Sequence, residues 1–304
     1  MSQKLKNSVL TLVALNRKQY EYCDFFIKNL LIDYNISSIR SKKLSLFVKD
    51  YYFQCNNKNF IIIKNTIKVL SHKADIIIQK LENRRKKIIA CDMDMTIINV
   101  ETINLINDHL LNNNKIKHIT EKAMNGSINF TDSLLSRTKM LKGIKEKKIK
   151  NLIRKIKINN GVKSVIRTMN FFGFHTILIS GGYDAIANVI GNNVGFKEIR
   201  SNSLEIKNQT LTGNLNDKII DKKGKLKYLK KSMSLLKVPK ELTMSVGDGD
   251  NDLAMIEFSG LGVAWRAYPK VRKAADVSIG LNFKSLLYFQ GYSDNEITFK
   301  LIKF

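Results

Sequence analysis

The stretch IIACDMDMT, residues 88–96, places two acids directly after a short apolar run. The run Lys87–Cys91 is typical of a parallel strand that is buried on both faces. Asp92 and Asp94 then leave the strand on the same side, because side chains two residues apart point the same way. Two carboxylates this close repel each other unless a cation or a shared proton lies between them. The stretch therefore predicts a chemical site at the end of a buried strand.

Strand and helix patterns alternate along the chain after this stretch. Strands are predicted at Thr176–Ser180, Leu242–Val246, Gly262–Trp265 and Asp276–Ile279, with a hairpin over Leu204–Gly213. Helices are predicted over Thr102–Leu111, much of residues 115–160, about Asp184–Ile190 and Gly224–Ser234. This alternation indicates an α/β fold, a Rossmann-like parallel sheet flanked by helices. In such a sheet, ligands bind at the carboxyl ends of the strands.

Polar segments follow the next two of these strands as well. Ser180–Gly182 offers a hydroxyl and bare N–H groups near a helix start, which suit an anionic phosphate. Gly247–Asp252 packs three acids into five residues, with glycines that allow tight turns. Lys225 lies between these segments at the start of a helix. Each piece alone is commonly a solvated loop or a surface lysine, but their order along successive strand ends predicts one shared site.

The four segments resemble the signature motifs of the haloacid dehalogenase-like phosphohydrolases and, within them, those of the phosphoserine phosphatase family. Glu101, nine residues after Asp92, stands where that family has a substrate-contacting glutamate. Ile119–Gly143 resembles the family's cap segment, and Gly260–Asp276 also follows the family pattern. The resemblance covers roughly residues 86–292.

Two positions depart from the family pattern. Met95 stands where a serine is common, and Asp250 stands where an alanine is common. Asp250 is expected to add negative charge near the metal site. Neither change removes a catalytic group, so the resemblance still implies an active enzyme.

The resemblance implies nucleophilic catalysis on a phosphate monoester. Asp92 is expected to attack phosphorus and form an aspartyl-phosphate, while Asp94 acts first as general acid and then as general base. The implied cofactor is Mg²⁺, held by Asp92, Asp248 and the backbone carbonyl of Asp94. Lys225 offsets charge on the phosphate and on Asp92. Asp252 orients Lys225 or a metal-bound water.

The resemblance also implies a helical cap, at about residues 100–160, that closes over a small substrate, O-phospho-L-serine. Glu101 is expected to contact the substrate ammonium, and Arg137 the carboxylate. Ser180 and the N–H of Gly181 would hold phosphoryl oxygens. The remaining assignments are Asn251, for the substrate or phosphate, and Met124 and Phe130, for the cap lining, with plain helical core as the alternative for the last two.

The N-terminal region, residues 1–82, resembles the ACT-like α+β domain of longer phosphoserine phosphatases, and residues 83–304 form the predicted phosphatase domain. Strands are predicted at Ser8–Leu15 and Lys43–Val48, and helices at Tyr20–Tyr34 and Asn65–Leu81. No catalytic constellation is evident in this region.

The composition limits the classes of binding partner and of metal or disulfide site. Lysine and arginine total 52 against 26 acids, a net charge of +26. The lysines are scattered, and the wealth of Ile, Asn and Lys fits an AT-rich genome, so no nucleic-acid partner is predicted. Three cysteines without a CxxC pair exclude a disulfide scaffold and a zinc ribbon.

The sequence also lacks signals for a membrane. No apolar run approaches the ~18 residues of a membrane span, and no cleavage pattern follows the short apolar patch near the N-terminus. We therefore expect a cytoplasmic protein without a membrane partner, as a monomer or a homodimer.

Two other functions remain open at this point. One is a phosphatase or phosphotransferase that acts on another small phosphomonoester, and the presence of both Glu101 and Arg137 argues against it, since those charges fit an amino acid. The other is a nucleic-acid-binding protein with an inactive phosphatase fold, and the complete set of acids argues against that.

Overall fold

The computed structural model describes residues 5–124 and 128–298. The elements of the N-terminal part are β1 (Lys6–Val13), α1 (Arg17–Asp33), β2 (Arg40–Ser45), β3 (Val48–Cys55), α2 (Asn57–Thr66) and β4 (Asp75–Lys80). The strands form an antiparallel sheet in the order β2-β3-β1-β4. Leu10 and Leu12 of β1 pack against Ile27 of α1 and Ile63 of α2, so the helices cover one face of this sheet. The region is therefore α+β, as predicted.

The predicted helix over Asn65–Leu81 is wrong. The helix α2 ends at Thr66, a 3-10 turn follows over Ile67–His72, and Asp75–Lys80 is a strand. A short apolar run such as Ile76–Ile78 fits a helix or a strand by periodicity alone. Pairing with β1 along the whole run decides for the strand.

The predicted strand Lys43–Val48 is also wrong, because it spans a turn between two strands. β2 ends at Ser45 and β3 begins at Val48, so the stretch joins a hairpin instead of forming one element. β1 and α1 confirm the other two predictions of this region, a strand near Ser8–Leu15 and a helix near Tyr20–Tyr34.

The rest of the chain is built on a parallel sheet. Its strands and the hairpin that accompanies them are β5 (Ile88–Cys91), β6 (His175–Tyr183), β7 (Glu198–Asn202), β8 (Leu204–Lys207), β9 (Thr210–Leu215), β10 (Thr243–Gly247), β11 (Leu261–Trp265) and β12 (Val277–Ile279). The sheet order is β12-β11-β10-β5-β6-β7, and all neighbours run parallel. This arrangement confirms the predicted Rossmann-like sheet. β8 and β9 pair as the predicted hairpin.

The strand β5 lies in the middle of the sheet and is buried on both faces. Ile89 and Cys91 join one hydrophobic core, while Ile88 and Ala90 join another on the opposite side. All four are fully buried. A strand held in this way gives the residue that follows it a fixed position.

Helices flank the sheet and form an insertion after β5. They are α3 (Thr102–Ile106), α4 (Asn114–Met124), α5 (Phe130–Lys139), α6 (Glu146–Leu152), α7 (Val162–Phe171), α8 (Asp184–Val194), α9 (Lys222–Leu236), α10 (Leu253–Phe258), α11 (Pro269–Ala274), α12 (Ser285–Phe289) and α13 (Asp294–Thr298). A π-helical turn extends α3 to Leu111, as the predicted helix over Thr102–Leu111 requires. Within the described ranges, no helix is long and apolar enough to cross a membrane.

The insertion α3–α6 is closed at its base. Ile98 and Ile158 form an antiparallel bridge. The Asn159 side chain also donates to the carbonyls of Thr96 (2.9 Å) and Ile98 (3.3 Å). The chain therefore leaves and re-enters the parallel-sheet region at neighbouring points. We call the insertion α3–α6 the cap; a cap at about residues 100–160 that closes over a substrate stays a prediction.

The second face of the N-terminal sheet packs on the parallel-sheet region. Val13, Val48 and Ile77 belong to the same hydrophobic core as the helices of the parallel-sheet region. The buried Asp75 of β4 accepts hydrogen bonds from the Gly280 N–H (2.9 Å) and the Ser285 hydroxyl (2.7 Å). The two regions thus share both apolar and polar buried contacts.

Candidate active site

Three strand ends meet at one edge of the parallel sheet. β5 is followed by Asp92, β6 carries Ser180 near its end, and β10 is followed by Asp248. Because β5 pairs with both β6 and β10, the carboxyl ends of these strands lie side by side. All three side chains are buried. The structure therefore brings together the segments that the sequence places far apart.

Lys225 connects two of the predicted acids. Its ammonium donates to Asp92 Oδ1 and, at 2.7 Å, to Asp252 Oδ1, and the lysine is fully buried. Burial by itself lowers the pKa of Lys225, but the charges of Asp252 and Asp92 outweigh it and raise that pKa above its ordinary value. The lysine therefore keeps its positive charge beside Asp92.

Asp252 supports the loop that carries Asp248. Its Oδ2 accepts the backbone N–H of Asp248 (3.2 Å) and of Gly249 (3.1 Å). Gly247 has no side chain to obstruct this approach, since a Cβ there would lie 2.4 Å from Asp252 Cγ. Both oxygens of Asp252 are thus occupied by the protein.

A cation fits between the acids. One carboxylate oxygen from each of Asp92, Asp248 and Asp252 lies within 4.8 Å of the other two. Asp252 uses both oxygens for Lys225 and the loop, which leaves Asp92 and Asp248 as the side chains best able to bind an ion. Carboxylate oxygens are the donors that a hard divalent cation such as Mg²⁺ prefers. The Asp94 carboxylate is not part of this group.

The pKa values of the two remaining acids show how much this pocket disfavours negative charge. Burial, together with Asp252, raises the pKa of Asp92 to about 7, although Lys225 opposes the rise. Burial, then Asp92 and Asp252, raise the pKa of Asp248 to about 9, although the Thr96 hydroxyl donates to it at 2.9 Å. A bound cation would favour the charged form of both carboxylates and so oppose both shifts.

Asp94 has a different environment on the cap side of the pocket. Its Oδ2 accepts the hydroxyl (2.8 Å) and the N–H (3.3 Å) of Thr102. Its Oδ1 is buried and has no hydrogen-bond partner among the described residues. Burial, followed by the charges of Glu101 and Asp92, raises the pKa of Asp94 well above its ordinary value. Asp94 therefore holds a proton more readily than an exposed aspartate does, and one of its oxygens has no partner among the described residues.

The last residues of β6 carry the hydroxyl and N–H groups that are predicted to hold a phosphate. The Gly182 N–H donates to Ser180 Oγ at 2.9 Å, and Asn202 Nδ2 donates to the Gly181 carbonyl at 2.8 Å. A Cβ on Gly181 would lie 2.7 Å from the ring of Phe130 and 3.6 Å from Asn251 Nδ2. The predicted residues Ser180, Gly181, Phe130 and Asn251 are therefore neighbours.

Two opposite charges face the pocket from the cap. Glu101 precedes α3, and burial raises its pKa while Arg137 opposes the rise. Arg137 on α5 is buried, which lowers its pKa, and it interacts electrostatically with Tyr183, Glu101 and Asp94. Its Nε donates to its own helix, and Nη1 lies 3.4 Å from Thr120 Oγ1. The Met124 side chain lies outside the described residues.

Met95 and Asp250, which depart from the family pattern, are both exposed. Asp250 binds Lys222 (3.5 Å) and Lys270 in ion pairs, so two lysines offset the charge that was expected near the metal site. Met95 is 42% exposed and has a φ of 56°, a left-handed conformation uncommon for this residue type. Neither side chain contacts the buried acids.

The sequence analysis assigned no role to several residues that hold the site in place. Thr96 and Thr102 donate to Asp248 and Asp94, and Tyr183 approaches Arg137. Thr96 and Thr102 each lie within two residues of an assigned segment, so their positions gave a signal. Nothing local marked Tyr183, because its partners come from other elements.

A family model for haloacid dehalogenase-like hydrolases matches residues 89–257. This range contains Asp92, Asp94, Ser180, Lys225 and Asp248, and it covers more than half of the chain. The chain belongs to the haloacid dehalogenase-like hydrolase family.

Individual members of this haloacid dehalogenase-like hydrolase family extend the match. A phosphoserine phosphatase from Saccharomyces cerevisiae is 32% identical over 277 residues, covering 86% of this chain and 88% of the yeast protein. The chain spans only about half the length of some other curated phosphoserine phosphatases that it matches.

Solved structures of haloacid dehalogenase-like hydrolases agree with the fold. A hydrolase of this family from Salmonella enterica serovar Typhi superposes with a TM-score of 0.82 at 26% identity, covering 93% of this chain and 98% of that one. A phospho-aspartyl intermediate analogue of a phosphoserine phosphatase superposes with a TM-score of 0.63 at 31% identity, covering 67% and 98% of the two chains.

Proposed function

We propose that this chain is a Mg²⁺-dependent phosphoserine phosphatase. It hydrolyses O-phospho-L-serine to L-serine and phosphate through an aspartyl-phosphate on Asp92, the last step of L-serine biosynthesis. The observation that carries the proposal is the pair Glu101 and Arg137, one charge of each sign, on the cap side of the pocket that holds Asp92. Arg137 is buried and Glu101 is half-buried. An amino acid offers the matching ammonium and carboxylate. A cytoplasmic location, a homodimer and the absence of a nucleic-acid partner stay predictions.

In the first step, an oxygen of Asp92 forms a bond to phosphorus and the bond from phosphorus to the serine oxygen breaks. Lys225 lies against Asp92 Oδ1 and offsets negative charge as the phosphoryl group arrives. Ser180 Oγ and the Gly181 N–H would hold two phosphoryl oxygens at the end of β6. These donors are held in place before substrate binds, because the Gly182 N–H donates to Ser180 Oγ and Asn202 donates to the Gly181 carbonyl.

Asp94 supplies the proton that the leaving serine oxygen needs. Its raised pKa favours the protonated form. Thr102 holds Oδ2, so Oδ1 is the oxygen left to face the substrate. In the second step, Asp94 takes a proton from water while the water oxygen attacks phosphorus. The bond between phosphorus and Asp92 then breaks, and the Asp92 carboxylate is restored.

Asp92 and Asp248, with the backbone carbonyl of Asp94, would hold Mg²⁺. The bound ion would neutralise the phosphate dianion and let a carboxylate approach it. Asp252 would not bind the ion, since both its oxygens are taken by Lys225 and the loop.

A panel of phosphomonoesters tests this function. Phosphate release is measured with O-phospho-L-serine, O-phosphoethanolamine and p-nitrophenyl phosphate, each with Mg²⁺ and after chelation with EDTA. We expect the highest kcat/KM with O-phospho-L-serine, loss of activity in EDTA and recovery with Mg²⁺. A higher kcat/KM with an ester that lacks an amino acid would replace this proposal by its alternative, a phosphatase or phosphotransferase for another small phosphomonoester.

A further inference from the structure

Ser133 carries a hydroxyl that the protein does not use. The residue lies in the cap helix α5 and is fully buried, and its Oγ has no hydrogen-bond partner among the described residues. A buried hydroxyl without a partner costs free energy, because it has lost its hydrogen bonds to water. Such a group is expected to serve a ligand or to be replaced by a smaller apolar residue.

The Ser133 hydroxyl also lacks the hydrogen bond that a serine within a helix usually forms with its own backbone. Serine within a helix often bonds back to the carbonyl four residues earlier. Here the Asn129 carbonyl accepts the backbone N–H of Ser133 at 3.1 Å, and the Ser133 carbonyl accepts Arg137 Nε at 3.2 Å. The backbone of Ser133 is therefore satisfied on both sides while its side chain is not.

The helix α5 has two inward stripes with different neighbours. Phe130, Ser133 and Arg137 are spaced by three and four residues, so they share one face. Phe130 lies against Gly181 near the end of β6, and Arg137 interacts electrostatically with Glu101 and Asp94. Ser133 therefore lies on the stripe between the two residues that border the substrate pocket.

The second stripe fixes the rotation of the helix. Leu134 belongs to the hydrophobic core. The Thr138 hydroxyl donates to the Leu134 carbonyl at 2.7 Å, so its 2.9 Å contact with Tyr183 must be a hydrogen bond that Tyr183 donates. Because this contact anchors α5 to the end of β6, the stripe of Ser133 is held toward the pocket.

We propose that Ser133 Oγ donates a hydrogen bond to the substrate carboxylate, next to Arg137. The inference rests on the proposed function, since it needs a substrate with a carboxylate. Ser133 is then a specificity-determining residue that places one oxygen of the carboxylate while Arg137 supplies the charge. The unpaired hydroxyl of the free enzyme finds its partner only when an amino acid is bound.

The test compares Ser133→Ala with wild type on two substrates that differ by the carboxylate, O-phospho-L-serine and O-phosphoethanolamine. We expect the ratio of kcat/KM for the first to kcat/KM for the second to fall about tenfold, which corresponds to one hydrogen bond to a charged group. The loss should appear in KM and not in kcat. Thermal unfolding of the free variant should occur at the same or a higher temperature than wild type, because an unsatisfied group has been removed.

Thr168→Val is the matched control. Thr168 Oγ1 in α7 is also buried without a partner, and α7 is not part of the cap. This variant should leave the substrate ratio at the wild-type value. An unchanged ratio in Ser133→Ala, or an equal loss on both substrates with lower stability, would assign Ser133 a packing role only. If wild type itself does not hydrolyse O-phospho-L-serine, the proposed function fails first, and the carboxylate contact fails with it.

Discussion

The described residues include a buried polar cluster where the N-terminal sheet meets the parallel-sheet region and another in the candidate active site. The junction cluster consists of Arg84, Asp50 and Thr11. Arg84 binds both oxygens of Asp50 (2.7 and 2.8 Å) and Thr11 Oγ1 (2.9 Å). It also donates to the carbonyls of Phe289 (2.8 Å) and Tyr288 (3.1 Å) near the C-terminal end of the sheet region.

The active-site cluster contains more buried charges than the junction cluster and satisfies them less completely. Asp94 Oδ1 has no partner in the described ranges, and burial raises the pKa of both Asp92 and Asp248. In the junction cluster, each of the three nitrogens of the Arg84 guanidinium donates a hydrogen bond to an oxygen. The difference teaches that complete pairing marks a structural cluster here, whereas unmet charge marks the cluster that we propose as the site for a cation and a phosphate ester.

The largest effect is expected for Asp92→Asn. The substitution removes the nucleophile but keeps the shape of the side chain, so turnover should fall below detection while the far-UV circular dichroism and the unfolding temperature stay near wild type. The matched control is Asp250→Asn, which changes an exposed acid paired with Lys222 and Lys270 and should keep activity. A folded Asp92→Asn enzyme with near wild-type activity would contradict the covalent mechanism.

For Asp50→Asn in the junction cluster we expect a loss of stability without a loss of activity. It breaks a buried ion pair and leaves Arg84 without its carboxylate, so the free energy of unfolding should drop by about 3–5 kcal/mol. Urea unfolding measures the drop, and kcat of the folded enzyme should be retained. Glu21→Gln, which breaks the exposed Arg17–Glu21 pair in α1, should change the free energy of unfolding far less, because water screens exposed charges. Equal losses in the two variants would show that the junction pair contributes no more than a surface pair.

Arg137→Ala tests recognition of the substrate carboxylate. A hydrogen-bonded contact to a charged group contributes about 1.5–3 kcal/mol, so kcat/KM for O-phospho-L-serine should fall roughly 10- to 150-fold. The loss with p-nitrophenyl phosphate should be much smaller, since that ester has no carboxylate. Arg154→Ala, an exposed arginine of the cap region, is the control. A ratio of the two kcat/KM values that Arg137→Ala does not change would remove Arg137 from the substrate site.

Binding of Mg²⁺ to the two acids is also expected to depend on pH. Asp248 has a pKa of about 9 and Asp92 of about 7 in the chain without a cation. Between pH 7 and 9 the ion must therefore displace one proton, from Asp248. The Kd for Mg²⁺ should then fall by about tenfold for each unit by which the pH rises. Below pH 7, Asp92 also holds a proton and the dependence should steepen. Calorimetric titration without substrate measures this slope, and a Kd that is constant from pH 6 to 9 would contradict it.

Much of the active site could be predicted because its chemistry is local in sequence. Asp92 and Asp94 are two residues apart, and the acids of Gly247–Asp252 follow one strand, so the type of residue and its place after an apolar run were enough. The alternation of strands and helices then fixed where these segments meet, since parallel strands bring their carboxyl ends to one edge.

The tertiary structure decided what depends on distant partners. Asp75–Lys80 is a strand only because β1 offers it a pairing edge, and Arg84 finds Asp50 and Phe289, 34 and 205 residues away. The unpaired hydroxyl of Ser133 is likewise invisible in sequence, because a serine in a helix is ordinarily satisfied by its own backbone or by water. The sequence by itself determined which chemical groups follow each strand; only the packed chain decided which groups were buried, paired or left open, because those states depend on neighbours that no local pattern records.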